Sequence, residues 1–270
     1  MTGVQTCALP ILEALRQTPG PGELRFEPLD LADAGSIRDF ADRLLESKAA
    51  IDVLVNNAGI YPPSRRTLTS EGHELTFAIA HLGHFRLTQA LWPLLEAAPA
   101  ARVISVSSLV QRRAHIDLDD LALARNYSPI AAYAQAKLAC LLFALELRRR
   151  LGAAGRRVAS YAVHPGVVRT QLGSHRRISP QDNAWQRLSS WALARGMNRF
   201  GQTPEAGAAC IVEAATTTHF PPGSFIGPTG FLEASGRLGI TKPGPWSTDP
   251  ELATKLWQRT EALTGLTWPI

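Results

Sequence analysis

The stretch Tyr133 to Lys137, YAQAK, separates a phenol from an ammonium by four positions, a spacing that brings both to one face of a helix. On an ordinary surface such a pair carries no meaning. Here it lies one loop after an apolar run, ARVISVSSL (101–109), that ends in Ser107-Ser108. A phenol keeps its proton at neutral pH unless a nearby cation favours the phenolate, and Lys137 would supply that cation. Tyr133 could then give a proton to a ketone oxygen or take one from an alcohol as a general acid/base, while the Ser108 hydroxyl holds the same oxygen. The electron pair for such a reaction must come from a hydride donor, which side chains lack, so a nicotinamide cofactor is implied.

These groups need a scaffold that brings strand ends and one helix together, and the pattern of the chain provides one. Apolar runs at 24–31, 51–59, 101–109, 157–166 and 223–228 read as strands, alternating with helical patterns at 36–47, 71–98, 128–152, 203–216 and 249–265. Ser128 is placed to cap the third helix, with Pro129 at its first position and Gly152 at its end. Continuous apolar strands between helices predict a parallel sheet covered on both faces, an α/β fold of the doubly wound, Rossmann-like, three-layer α/β/α type. Ligands of such sheets sit beyond the carboxyl ends of the strands. Those ends read Asp30, Asn56-Asn57-Ala58-Gly59, Ser107-Ser108 and His164-Pro165-Gly166. Polar loops interrupt the pattern at 110–127 and at about 171–202, the second suiting a flap over a substrate.

In this order the motifs resemble those of the short-chain dehydrogenase/reductase family, and more narrowly its retinol-dehydrogenase-like branch. NNAG (56–59), VSS (106–108), YAQAK (133–137), HPGVVRT (164–170) and LDL (29–31) carry the likeness, which extends over about residues 12–265. The resemblance implies Ser108, Tyr133 and Lys137 as the catalytic set, with Lys137 also holding the nicotinamide ribose; Ser107 is the competing serine. It implies NADP or NAD as cofactor, NADP being slightly favoured. Asp30, Leu31, Asn57, Ala58 and Gly59 would lie on the adenosine side, and Pro165, Gly166, Val168 and Thr170 on the nicotinamide side. Dimerisation or tetramerisation through the two longest helices is a further implication for the complete protein. Tyr61, Trp185, Trp191 and Phe200 suit a small lipophilic carbonyl or alcohol, or equally a core or dimer contact.

Two departures stand out. The branch carries NHLGHF before the serine strand, with an Asn that supports a water relay to the lysine; this chain reads AHLGHF, with Ala80 in its place. Slowed rather than abolished turnover is the expectation, with His81 and His84 read as packed or solvent-facing residues rather than substitutes. The family also opens with a strand, a TGxxxGxG turn and a helix whose free N–H groups bind the pyrophosphate. No such turn occurs in this sequence, and the glycines of PGPG (19–22) come with prolines that remove donors. The first eleven residues, MTGVQTCALPI, resemble the conceptual translation of a short-read sequencing adapter. The expectation is therefore an artefactual segment at 1–11 followed by one truncated domain over 12–270, lacking the first β-α-β unit, poorly soluble and weak in dinucleotide binding. A non-catalytic scaffold or interaction protein is the alternative reading. A serine hydrolase built on Ser108 and His164 fails, because no GxSxG elbow surrounds the serine.

Composition narrows the remaining classes. With 270 residues, 45% of them hydrophobic, the chain can bury one large core. Its formal charge of +5 comes from scattered short arginine groups without interleaved aromatics, which argues against a nucleic-acid partner. Cys7, Cys140 and Cys210 have no metal-ligand spacing, so no metal site and no disulfide framework are expected. The chain contains no secretory signal pattern and no apolar run approaching the ~20 residues of a membrane span, so a soluble, cytoplasmic protein is expected.

Overall fold

The computed structural model describes residues 22–169 and 201–270, with a few positions between 12 and 20. The short apolar runs of the middle of the chain pair into one five-stranded sheet: β1 (Val53–Asn56), β2 (Arg102–Val106), β3 (Ala159–Val163), β4 (Phe225–Pro228) and β5 (Leu238–Ile240). Spatial order follows chain order, the first four strands running parallel and β5 antiparallel to β4. The parallel core was legible because its strands are apolar on both faces. β5, only three residues long and half-exposed, carries no such signal.

Around the sheet lie α1 (Ala34–Ser47), α2 (His84–Ala90), α3 (Trp92–Ala97), α4 (Pro129–Ala153), α5 (Pro204–Thr216) and α6 (Pro250–Thr264). Ser128 and Thr203 cap α4 and α5 by accepting from the Ala131 and Ala206 amides, each with a proline at the first turn. α4 packs on one face of the sheet, where Leu141 and Ala144 meet Ala162 and Phe225. α5 covers the other, with Cys210 and Ala214 against Ile104, Tyr161, Val163 and Ile226. By length and hydropathy α4 alone among the described residues could cross a bilayer, contrary to the expectation that no run approaches that length. Its most apolar stretch is, however, 78% buried inside the protein.

Two sequence expectations are corrected. Residues 24–31 form no strand: Pro28 brings no amide hydrogen, and its carbonyl and Glu27 are engaged by Arg43 of α1 rather than by a ladder partner. Nor is 71–98 one long helix. Leu75–Phe77 is a single turn, Ala78–Gly83 is π-helical, and only then does regular α2 begin, itself separated from α3 by Leu91 with φ −88° and ψ 3°. The π-helical stretch admits close packing: a Cβ on Gly83 would stand 2.5 Å from the Leu31 carbonyl oxygen. Glycine there lets the chain that follows Asp30 lie directly on the helix. The loop after β2 is less of a polar excursion than its sequence suggested, since Ala114, Ile116 and Leu121 are buried against α4 and α6.

Candidate active site

The carboxyl end of β2 is where the chemistry-bearing residues gather. Ser107 is buried and its hydroxyl donates to the Lys137 carbonyl oxygen at 2.6 Å, so it anchors α4 to the sheet. Ser108 is only half-buried and begins a 3₁₀ turn (Leu109–Arg113) by accepting from the Val110 amide. Its O–H is left to donate elsewhere. Lys137 is buried at 6% exposure, and its ammonium donates to the Val106 carbonyl at 2.8 Å. The same ammonium lies 6.0 Å from the centre of the Tyr133 ring. Tyr133 is half-buried and stacks on Tyr61, centroids 6.4 Å apart, so a residue read from the sequence as lining the pocket mouth does lie beside the phenol.

The strand ends on either side complete the arrangement. After β1, Asn56 is buried and bonded to Thr88, whereas Asn57 and Ala58 are exposed. A Cβ on Gly59 would stand 3.5 Å from the Lys137 ammonium nitrogen, so glycine keeps the space beside the cation clear. Beyond β3, Pro165 and Gly166 are half-buried, and Gly166 takes φ +70° with the Ala234 carbonyl where a Cβ would project. Val168 is buried against Gly207 of α5, a packing position. Asp30 turns one carboxylate oxygen back onto the Ala32 amide, and the Leu31 side chain belongs to a buried cluster with Ile37 and Leu91. Thr170, Trp185, Trp191 and Phe200 lie outside the described residues, as does nearly all of the expected flap.

Histidines surround the centre without entering it. His84 donates through Nδ1 to the Ala80 carbonyl at 2.8 Å, and burial together with the Lys137 charge lowers its pKa to about 4. His81 bonds Thr260 of α6, and burial lowers it to about 3. His164 accepts from the Gly166 amide at Nδ1, which leaves its proton on Nε2, 3.3 Å from Glu233. Burial holds it down to about 4 although the Glu233 carboxylate pulls the other way. The reading of His81 and His84 as packed residues fits both environments. Sequence reasoning missed the partnership of Glu233 with His164 and Arg112, because nothing in the local pattern links positions so far apart in the chain.

A model of the family described as short chain dehydrogenase matches residues 7–180. The chain belongs to the short-chain dehydrogenase/reductase family. Its sequence is 37% identical to human retinol dehydrogenase 13 over 249 residues, covering 89% of this chain and 69% of the relative. It is 34% identical to mouse polyprenol dehydrogenase over 265 residues, covering 94% and 72%. Among solved structures, an uncharacterized protein from Mycobacterium paratuberculosis superposes with a TM-score of 0.73 at 34% identity, covering 96% of this chain and 81% of that one. A dehydrogenase of this family is an NAD(P)-dependent oxidoreductase, and the retinol-dehydrogenase-like branch read from the motifs is the correct one.

The described residues can be tested against that cofactor in two halves. Lys137, Tyr133, the unobstructed side of Gly59 and the Pro165-Gly166 turn fit a nicotinamide riboside. For the pyrophosphate, the sequence offers no glycine-rich turn opening onto a helix.

Proposed function

We propose that this dehydrogenase interconverts a carbonyl and an alcohol on a small lipophilic substrate, with Tyr133 as general acid/base, Lys137 as its cationic partner and Ser108 as the hydrogen-bond donor to the reacting oxygen. The placement of the buried Lys137 ammonium between the end of β2 and the Tyr133 ring carries this reading. The relatives named for retinol and polyprenol support a lipophilic substrate. A nicotinamide, when bound, supplies or accepts the hydride. In the reducing direction the Tyr133 O–H bond breaks, its proton goes to the former carbonyl oxygen, and the phenolate left behind faces the ammonium. Ser108 holds that oxygen while charge gathers on it. Asp30, Leu31, Asn57, Ala58 and Gly59 would flank the adenosine, and Pro165, Gly166, Val168 and Thr170 the nicotinamide, with NADP favoured over NAD by the branch.

The sequence contains no TGxxxGxG turn, and from that we infer weak dinucleotide binding. Slow turnover at millimolar NADPH is therefore the expected behaviour. Tyr133→Phe should lower that turnover by about 10²–10⁴-fold when compared at saturating NADPH. A variant as fast as the parent removes Tyr133 from the mechanism, and tight NADPH binding by the parent removes the weak-binding clause. Ala80 and the absent glycine-rich turn favour a second reading, a non-catalytic scaffold. It gains if a panel of aldehydes and ketones is not reduced at any cofactor concentration.

A further inference from the structure

Glu233 occupies a backbone conformation that a side chain disfavours. It and Leu232 take φ values of 55° and 52°, in the left-handed region that is costly for residues with a Cβ. Strain of this kind persists only where the surrounding structure imposes it, and it concentrates where geometry serves function. One oxygen of the Glu233 carboxylate, Oε2, meets both Arg112 Nη2 and His164 Nε2. Arg112 belongs to the 3₁₀ turn that begins at Ser108. His164 opens the His164-Pro165-Gly166 turn beyond β3, and its Nδ1 accepts from the Gly166 amide. The residue after Glu233 reaches the end of that turn through the backbone, the Ala234 carbonyl accepting from the Val167 amide at 2.8 Å. One carboxylate thus stands between the turn that carries Ser108 and the turn on the other side of the strand-end face.

Neither side-chain partner depends on that oxygen to be satisfied. Arg112 also donates to the Lys242 carbonyl, and its side chain is 32% exposed to water. His164 Nε2 lies 3.2 Å from the Thr241 hydroxyl, which donates to the Phe225 carbonyl and so is free to accept. A glutamate held at a strained φ between two groups already provided for contributes geometry more than stability. We infer that Glu233 is a positioning residue: through Oε2 it fixes the Ser108 turn against the His164-Pro165-Gly166 turn, and so sets where the reacting oxygen stands relative to the nicotinamide. A reacting group displaced by an ångström slows a reaction by as much as about a hundred-fold, so the spacing of the two turns is worth holding. The inference rests on the roles proposed above for Ser108 and for the 164–166 turn.

Two variants of the full chain and two readouts test it. Glu233→Gly removes the brace and suits the left-handed backbone, so its thermal unfolding midpoint should equal or exceed that of the parent. Its kcat at saturating NADPH should fall about ten- to a hundred-fold, with the substrate KM changed by less than about three-fold. Glu233→Gln keeps an oxygen that can accept from both partners and should stay within about three-fold of the parent kcat. In a Ser108→Ala background the glycine substitution should cost less than about three-fold, because groups acting as a unit are not additive. Amide hydrogen exchange over residues 108–113 and 164–167, which needs no cofactor, should quicken in both turns of the glycine variant and in neither turn of the glutamine variant. Unchanged exchange in either turn of the glycine variant overturns the inference. So does an unchanged kcat, an undiminished loss in the Ser108→Ala background, or a glutamine variant as slow as the glycine one. A midpoint lowered by glycine assigns Glu233 a structural role and overturns it too. A parent without turnover, or a Ser108→Ala variant as fast as the parent, overturns the catalytic reading and the positioning role with it, whereas the other outcomes overturn the role of Glu233 alone.

Discussion

Ser107 and Ser108 show how one position in the register divides anchoring from chemistry. Successive residues leaving a strand point to opposite faces, so Ser107 turns inward onto the Lys137 carbonyl while Ser108 stays half-exposed with its O–H uncommitted. The resemblance chose Ser108 by its place in the pair, with Ser107 as competitor; the contacts add that Ser107 is tied to α4. Ala80 offers a related test. It is 2% exposed and clusters with Ala136 and Cys140, while its carbonyl accepts from both His84 and Cys140. Ala80→Asn should raise kcat by restoring the side-chain amide of the branch, while lowering stability by about 1–3 kcal/mol as the extra atoms crowd that cluster. A variant that is no faster removes the relay explanation.

The three buried histidines give a pH dependence of definite sign. Each would titrate near 6.5 when unfolded but near 3 to 4 when folded, His81 the lowest. The folded state therefore disfavours their protonation, and their contribution to stability is complete above about pH 6.5. It is lost as pH falls from there through 4, at up to about 1.4 kcal/mol per pH unit for each imidazole. Urea midpoints measured at pH 7.5 and pH 5 should differ in that direction. A flat profile across that window would show that the rings are not sequestered as described.

Among the elements, the parallel strands and α4 were readable because burial on both sides leaves an apolar run that little else produces. The stretch over 24–31 carried a similar composition and misled. Its hydrophobic residues Leu29 and Leu31 pack with α1 and α2, and composition does not distinguish a strand from an extended tie across helices. The π-helical stretch before α2 was invisible for a different reason: inserting one residue into a helical turn leaves the apolar pattern almost unchanged. Its consequence is testable at Gly83. Gly83→Ala would bring a Cβ to 2.5 Å from the Leu31 carbonyl oxygen and 2.8 Å from its Cβ, so the 29–31 segment must move. Destabilisation well beyond the gain of about 1 kcal/mol that alanine normally brings to a helix is expected, with faster amide exchange at Leu31 and Ala32. A variant as stable as the parent would mean that the close approach is not required.

At the scale of the molecule, the sheet keeps chain order, so strand follows strand without long returns. The exception is α6. Trp257 stacks on Phe143 at 5.7 Å, and Trp268 meets Phe85, Trp92, Phe143 and Trp257 within 6.1 Å. Thr260 accepts from His81 across 179 positions. Among the described residues no protein group accepts from the indole N–H groups of Trp92, Trp257 and Trp268, so the cluster is held by apolar and ring contacts. Trp268→Ala should cost about 3–5 kcal/mol, read from denaturant midpoints, and a loss below 1 kcal/mol would show that the cluster does not depend on it. During synthesis this arrangement sets a schedule. The strands can assemble as they leave the ribosome, but the helices behind them keep an open apolar flank until α6 and Trp268 emerge. For that interval the nascent chain is a client for chaperones, and a ribosome stalled before Trp268 has emerged would hold a sheet already formed and a core still unsealed.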